Sequence, residues 1–256
     1  MTVKGFILII FLSLCSYDIS FSQEQPIIYL FPGQGSDERL FDSLKFKNDY
    51  KIIHIKYPIP EKGSSLPEYA KRIAKQIDTT QQYIFIGVSL GGMIISELND
   101  FLNPEKSIII SSAKTRSELP FRYRFQKAIP IYKIVPPKLM LAGAKFLQPI
   151  VEPDRNTNKA IFKSMLSSKD PVYMKRTVEM IIKWDRKIEL KNFIHIHGTK
   201  DRTIPIRNVK PTHIIEGGSH MMTLTQPSPI NMSSTLIWKF RFFTQGVTSL
   251  WLASIQ

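Results

Sequence analysis

The stretch "YIFIGVSLGGMIISEL", Tyr83 to Leu98, decides the reading of this chain. Four apolar residues run into Gly87-Val88-Ser89-Leu90-Gly91-Gly92, and an apolar-periodic segment follows. The first part reads as a buried strand and the last as a helix. A serine between glycines at that junction implies a sharp turn that exposes its hydroxyl, with small neighbours to avoid clashes. The N-terminus of the following helix favours negative charge developing there.

Outward from this turn, strand and helix signals alternate. "PIIYLF" (Pro26 to Phe31) reads as a buried strand and "PGQGSD" as a Gly-rich loop, after which "RLFDSL" begins a helix. "YKIIHIKYP" (Tyr50 to Pro58) is a second strand. "SLPEYAKRIAKQI" places Leu66, Tyr69, Ala70, Ile73, Ala74 and Ile77 at helical spacing, with Ser65 as N-cap. "KSIIISSA" (Lys106 to Ala113) is the next strand. Strands apolar on both faces imply a parallel sheet covered by helices on both sides. From about residue 114 to 188 no strand is legible, and proline-broken helical patterns take over. This is expected to be an inserted cap over the carboxyl ends of the strands. The sheet resumes at "NFIHIHG" (Asn192 to Gly198) and "THIIEGG" (Thr212 to Gly218).

A serine hydroxyl is a poor nucleophile until a base takes its proton, and the base needs an orienting acid. His220 follows a strand in "EGGSH", and Asp201 follows another in "HGTKDRTIP". Ligands of open parallel sheets bind outside the carboxyl ends of the strands, where all three residues fall. The loop "FPGQGSD" can offer backbone N–H groups to an oxyanion, and the nearest candidates are Gln34 and the residue after the serine, Leu90.

On "GVSLGG", "HGTKD" and "EGGSH", in that order, the sequence resembles the α/β-hydrolase superfamily from roughly Pro26 to Met222. The resemblance implies an α/β fold with a mostly parallel central sheet, helices on both faces and a helical cap. By motif, Ser89 would be nucleophile, Asp201 acid and His220 base. Pro32 stands where the family's His-Gly-X-Gly loop has histidine, a change that backbone donors survive. His54, His195 and His213 lie inside predicted strands and read as structural, while His197 abuts the acid loop. Asp185 and Glu216 are the other acids considered for Asp201's role.

The expected activity is an exported serine hydrolase acting on a carboxylic ester or thioester through an acyl-enzyme. The alternatives are an acyltransferase or thioesterase of the same fold, and a non-catalytic binding protein with a degenerate site. No metal-ligand spacing appears and no cofactor is implied. No nucleic-acid motif is present.

The rest of the chain bounds the setting. Lys4, the apolar run Phe6 to Leu14, and Ser20-Phe21-Ser22 follow the plan of a secretory signal peptide cleaved after Ser22, which leaves residues 23–256 as one domain. The product would be periplasmic, on the cell surface or secreted; an uncleaved anchor is the alternative. Cys15 is the only cysteine, so the mature chain would have no disulfide and no thiolate nucleophile. The net charge is +14, and Ala113 to Lys187 alone holds 17 Lys/Arg against 6 Asp/Glu, or +11. "PFRYRFQKAIPIYKIV" alternates aromatics with arginines, which suits either a lid on anionic lipid or cap helices packed on the core. Beyond His220, Met221 to Gln256 carries Lys239, Arg241 and no acid, an unusual composition for a solvent-covering terminal helix.

Overall fold

The computed structural model describes residues 25–46, 50–152, 158–189 and 192–231. The expected signal peptide and the tail beyond Asn231 lie outside the described residues.

Among the described residues, six strands form one sheet in the order β2-β1-β3-β4-β5-β6. They are β1 (Ile27–Phe31), β2 (Lys51–His54), β3 (Tyr83–Val88), β4 (Lys106–Ile110), β5 (Phe193–Gly198) and β6 (His213–Ile215). All five pairings are parallel. Register aligns the carboxyl ends at the centre: Phe31 lies opposite Gly87, and Val88 opposite Ile110. The chain leaves β1 for one edge, then returns to β1's other side at β3. Strand direction of travel therefore reverses between β1 and β3, and that switch point opens a crevice above the carboxyl ends.

The period-2 alternation of side chains divides the core. Ile27, Tyr29 and Phe31 face one side of the sheet, with Phe85, Leu66 and Ile94; Ile28 and Leu30 face the other, with Phe162, Met222 and Ile230. On the first side lie α1 (Leu66–Ala74) and α2 (Leu90–Leu98). Ser65 and Glu68 form a reciprocal capping box at the start of α1, and Leu66, Tyr69, Ala70 and Ile73 are its buried stripe. Every residue of α2 is buried, which suits a mostly apolar helix at the centre of the molecule.

Between β4 and β5 run α3 (Phe121–Phe125), a 3₁₀ turn (Ile131–Lys133), α4 (Pro137–Val151), α5 (Lys159–Ser167) and α6 (Pro171–Lys183). Prolines open α4 and α6, where a missing N–H costs nothing, and the Asp170 side chain caps α6 by accepting from the Tyr173 amide. The segment is tied back to α2 and the turn after it. Trp184 Nε1 donates to Glu97 Oε1 at 2.7 Å, and Arg186 donates to both carboxylate oxygens of Asp100 at 2.7 and 2.8 Å.

The structure corrects some boundaries. "RLFDSL" begins no α-helix: Glu38–Phe41 is a single 3₁₀ turn, capped by Asp37, that buries Leu40 and Phe41. The edge strands are shorter than their apolar runs, four residues for β2 and three for β6. β2 pairs with Ile27–Leu30 of β1, and β6 with only Ile196–Gly198 of β5.

Candidate active site

The turn at the end of β3 holds Ser89 at φ 54 and ψ −116, a region that non-glycine residues rarely occupy. Such a conformation costs on the order of 1–3 kcal/mol and persists only where neighbours enforce it. The Ser89 amide donates to the Ile110 carbonyl at 3.0 Å, and its carbonyl accepts from the Ser112 hydroxyl at 2.7 Å. The flanking glycines answer the question of why a serine sits between them. A Cβ on Gly91 would lie 2.1 Å from the Phe31 carbonyl oxygen, and one on Gly87 would lie 2.6 Å from the Gly91 carbonyl carbon. β1, the turn and α2 pass too close for any side chain there.

The loops after β5 and β6 meet this turn. Gly198 packs against Gly218, where an added Cβ would meet the Gly218 carbonyl oxygen at 2.1 Å, and Lys200 donates its amide to that carbonyl at 2.9 Å. The two loops are thus locked together, which carries His220 to Asp201. His220 Nδ1 lies 2.8 Å from Asp201 Oδ2, and His220 Nε2 lies 2.9 Å from Ser89 Oγ. A carboxylate only accepts, so Nδ1 holds the ring proton and Nε2 is left to accept from the serine hydroxyl. The other oxygen of Asp201, Oδ1, accepts from the Thr203 and Ile204 amides at 2.8 Å each. Four bonds therefore fix both ends of the imidazole–carboxylate pair.

Burial is the largest influence on the His220 pKa and pushes it down. The Asp201 carboxylate, by charge and by hydrogen bond, more than offsets this, with help from Glu152 and against Arg122. The result lies above the ordinary histidine value.

Behind Asp201 lies a feature that sequence reasoning left unassembled. His197 Nε2 donates to the Ile204 carbonyl at 2.8 Å and lies 3.3 Å from Asp201 Oδ2. His197 Nδ1 then accepts from His195 Nε2 at 3.2 Å. Both rings are fully buried; burial drives the His195 pKa down to about 3 and lowers that of His197, so both stay neutral. Their spacing of two along β5 was the available signal, since it puts both on one face of the strand. Arg122 and Glu152, which also line the site, carried no such pattern.

Gln34 and Leu90 border the serine from two loops. Gly33, beside Gln34, comes within van der Waals reach of the Ser89 Cβ. The Gln34 side chain turns away and donates to Thr177 Oγ1 at 2.7 Å and to the Met174 carbonyl at 3.2 Å. No described residue accepts the backbone N–H of Gln34 or of Leu90, and Leu90 opens α2. Asp185 and Glu216 do not reach His220: Asp185 pairs with Lys127 at 3.0 Å, and Glu216 accepts from the Thr199 hydroxyl at 3.0 Å. No cluster among the described residues could hold a metal ion.

Beside Ser89 and His220 opens a cavity of about 300 Å³, walled by Met93, Met140, Phe162, Leu166, Met174 and Ile181. Its lining is mostly apolar, with Gln34, Ser36, Arg122, Gln148, Glu152 and Thr203 as polar exceptions.

No protein-family model and no curated protein matches the sequence significantly. Solved structures do match the fold. A thermophilic esterase from Thermogutta terrifontis superposes with a TM-score of 0.66 at 12% identity, over 84% of this chain and 89% of its own. An esterase from Exiguobacterium antarcticum does so at 0.62 and 16%, over 84% and 92%. The enol-lactonase from Burkholderia xenovorans LB400 does so at 0.65 and 13%, over 84% and 91%. At such identities the likeness is one of architecture, and by architecture this chain belongs to the α/β-hydrolase fold.

Proposed function

We propose that this chain is a serine hydrolase that cleaves a carboxylic ester or thioester with an apolar acyl group. The observation that carries the reading is the unbroken line Ser89 Oγ, His220, Asp201, with gaps of 2.9 and 2.8 Å, at the wall of an apolar cavity. Solved proteins of this architecture that are named esterases and lactonases support it.

In this reading Ser89 Oγ attacks the acyl carbon as His220 Nε2 takes its proton. Asp201 keeps the proton on Nδ1 and stabilises the imidazolium that forms. The amides of Gln34 and Leu90 bind the oxyanion, the second of them at a helix N-terminus whose partial positive charge favours it. His220 then protonates the leaving group, and the ester becomes acyl-Ser89. Water, deprotonated by the same imidazole, releases the acid and restores the serine. The cavity sorts substrates by apolar acyl surface, at about 25 cal/mol per Å² removed from water.

A fluorophosphonate probe tests the reading. Wild-type protein should label on Ser89 and Ser89→Ala should not; an unlabelled wild type with a native circular dichroism spectrum would sink it. Export belongs to the same proposal. N-terminal sequencing of the mature protein should begin at Gln23, and a start at Met1 removes that part.

A further inference from the structure

We propose that α3, the 3₁₀ turn and α4 form a docking face for an anionic lipid surface. Nine of the thirteen large apolar side chains exposed among the described residues lie between Phe121 and Ile150. Three of them, Ile134, Phe146 and Phe121, are 82%, 75% and 69% exposed. All three elements pack on α6, and no described residue covers these exposed side chains on their outer sides.

The pattern on α4 is specific. Leu139, Phe146 and Ile150 are seven and four residues apart, which stacks them in one outward stripe. Met140, Ala144 and Val151 occupy another side of the same helix and line the cavity. The helix is thus apolar on two sides, and the cavity accounts for only one. Exposed Lys138 and Lys145, again seven apart, flank the outward stripe. An apolar stripe edged by lysines is the arrangement of a helix lying in a bilayer interface, with the ammonium groups reaching the headgroups.

Charge selects the occupant. From Leu119 to Val151 there are six Lys/Arg and no Asp/Glu. A second copy of this chain docked by twofold symmetry would set this cationic patch against itself. An anionic bilayer supplies both the apolar layer and the opposite charge. The inference does not depend on the hydrolase reading. If both hold, esters carried in the bilayer reach a cavity whose wall is the docked helix.

The test is vesicle flotation of the full chain, on phosphatidylcholine alone and with about a third phosphatidylglycerol. Wild type should float with the anionic vesicles at low salt and be released as salt rises. Phe146→Glu/Ile150→Glu and Lys138→Glu/Lys145→Glu should each reduce that binding about tenfold or more, with unchanged circular dichroism. All chains share the apolar run Phe6 to Leu14, so only differences between them are read. Equal flotation of wild type and both variants overturns the proposal, as does a deficit of the variants that is the same on neutral and anionic vesicles. Sedimentation showing a dimer that Phe146→Glu dissolves, with equal flotation of all chains, assigns the face to self-association instead. Ser89→Ala should float as wild type does, so loss of catalysis and loss of docking are separable.

Discussion

Gln34 and Thr177 are 143 residues apart in sequence, yet the Gln34 side-chain amide donates to the Thr177 hydroxyl at 2.7 Å. This bond joins the loop after β1 to α6, so the helical segment between β4 and β5 holds the loop that borders Ser89. Gln34→Ala should lower kcat/KM by about tenfold, or about 1.4 kcal/mol of transition-state stabilisation. Most of the loss should fall on kcat, because the backbone donor is misplaced while the apolar cavity is intact. Steady-state kinetics on a short activated ester checks this; a loss confined to KM would mean that the side chain only binds substrate.

Ser89, His220 and Asp201 should behave as one unit. Ser89→Ala and His220→Ala should each cost about 10,000-fold or more in kcat, and the triple variant hardly more than either. Asp201→Asn should cost less than Ser89→Ala, since the base is misoriented and not removed. If Ser89→Ala retains wild-type turnover, the nucleophile is elsewhere.

The pH profile follows from the charges around His220. The imidazole must be neutral to act as base, so kcat/KM should rise with pH through a pKa above the ordinary value of about 6.5. Glu152 raises that pKa and Arg122 lowers it. Glu152→Gln should therefore move the limb to lower pH, and Arg122→Gln to higher pH. Shifts in the same direction for both variants would show that packing, not charge, is being altered.

Gly91→Ala tests the turn. Its Cβ would need to sit 2.1 Å from the Phe31 carbonyl oxygen, a backbone atom of a central strand that cannot swing aside. Overpacking of this kind costs about 1–3 kcal/mol and occasionally more. Thermal melts should show the loss, and probe labelling should fall further than stability, because relief of the clash moves Ser89 relative to His220. Wild-type labelling in a folded Gly91→Ala protein would contradict this account of the turn.

Lys114 and Glu118 test the start of the segment after β4. Their 2.9 Å pair is almost fully buried, with side-chain exposures of 3% and 9%. Glu118→Gln should destabilise by about 3–5 kcal/mol, because it removes the counter-charge of the buried Lys114 ammonium, which then keeps only the Lys210 carbonyl at 3.2 Å and a neutral amide as acceptors. Chemical denaturation measures this directly.

What local physics controls is legible along the chain. Apolar runs and glycines between Tyr83 and Leu98 allow little but strand, turn and helix, and Ser65 with Glu68 marks the start of α1. Serine, aspartate and histidine each follow a strand, which nominates them, and strands apolar on both faces alternating with helices point to a parallel sheet. The distances come from the folded arrangement. Ser89 and His220 stand 131 residues apart, and their meeting depends on sheet order, on the reversal at β1 and on the Gly198–Gly218 contact. These are long-range pairings that no window of sequence contains. The same holds for the His195–His197 pair behind Asp201, whose meaning depends on burial, and for the uncovered stripe of α4. An apolar helix looks alike in sequence whether its second side meets a core, a membrane or water; packing on α6 and the cavity decides which side is left over.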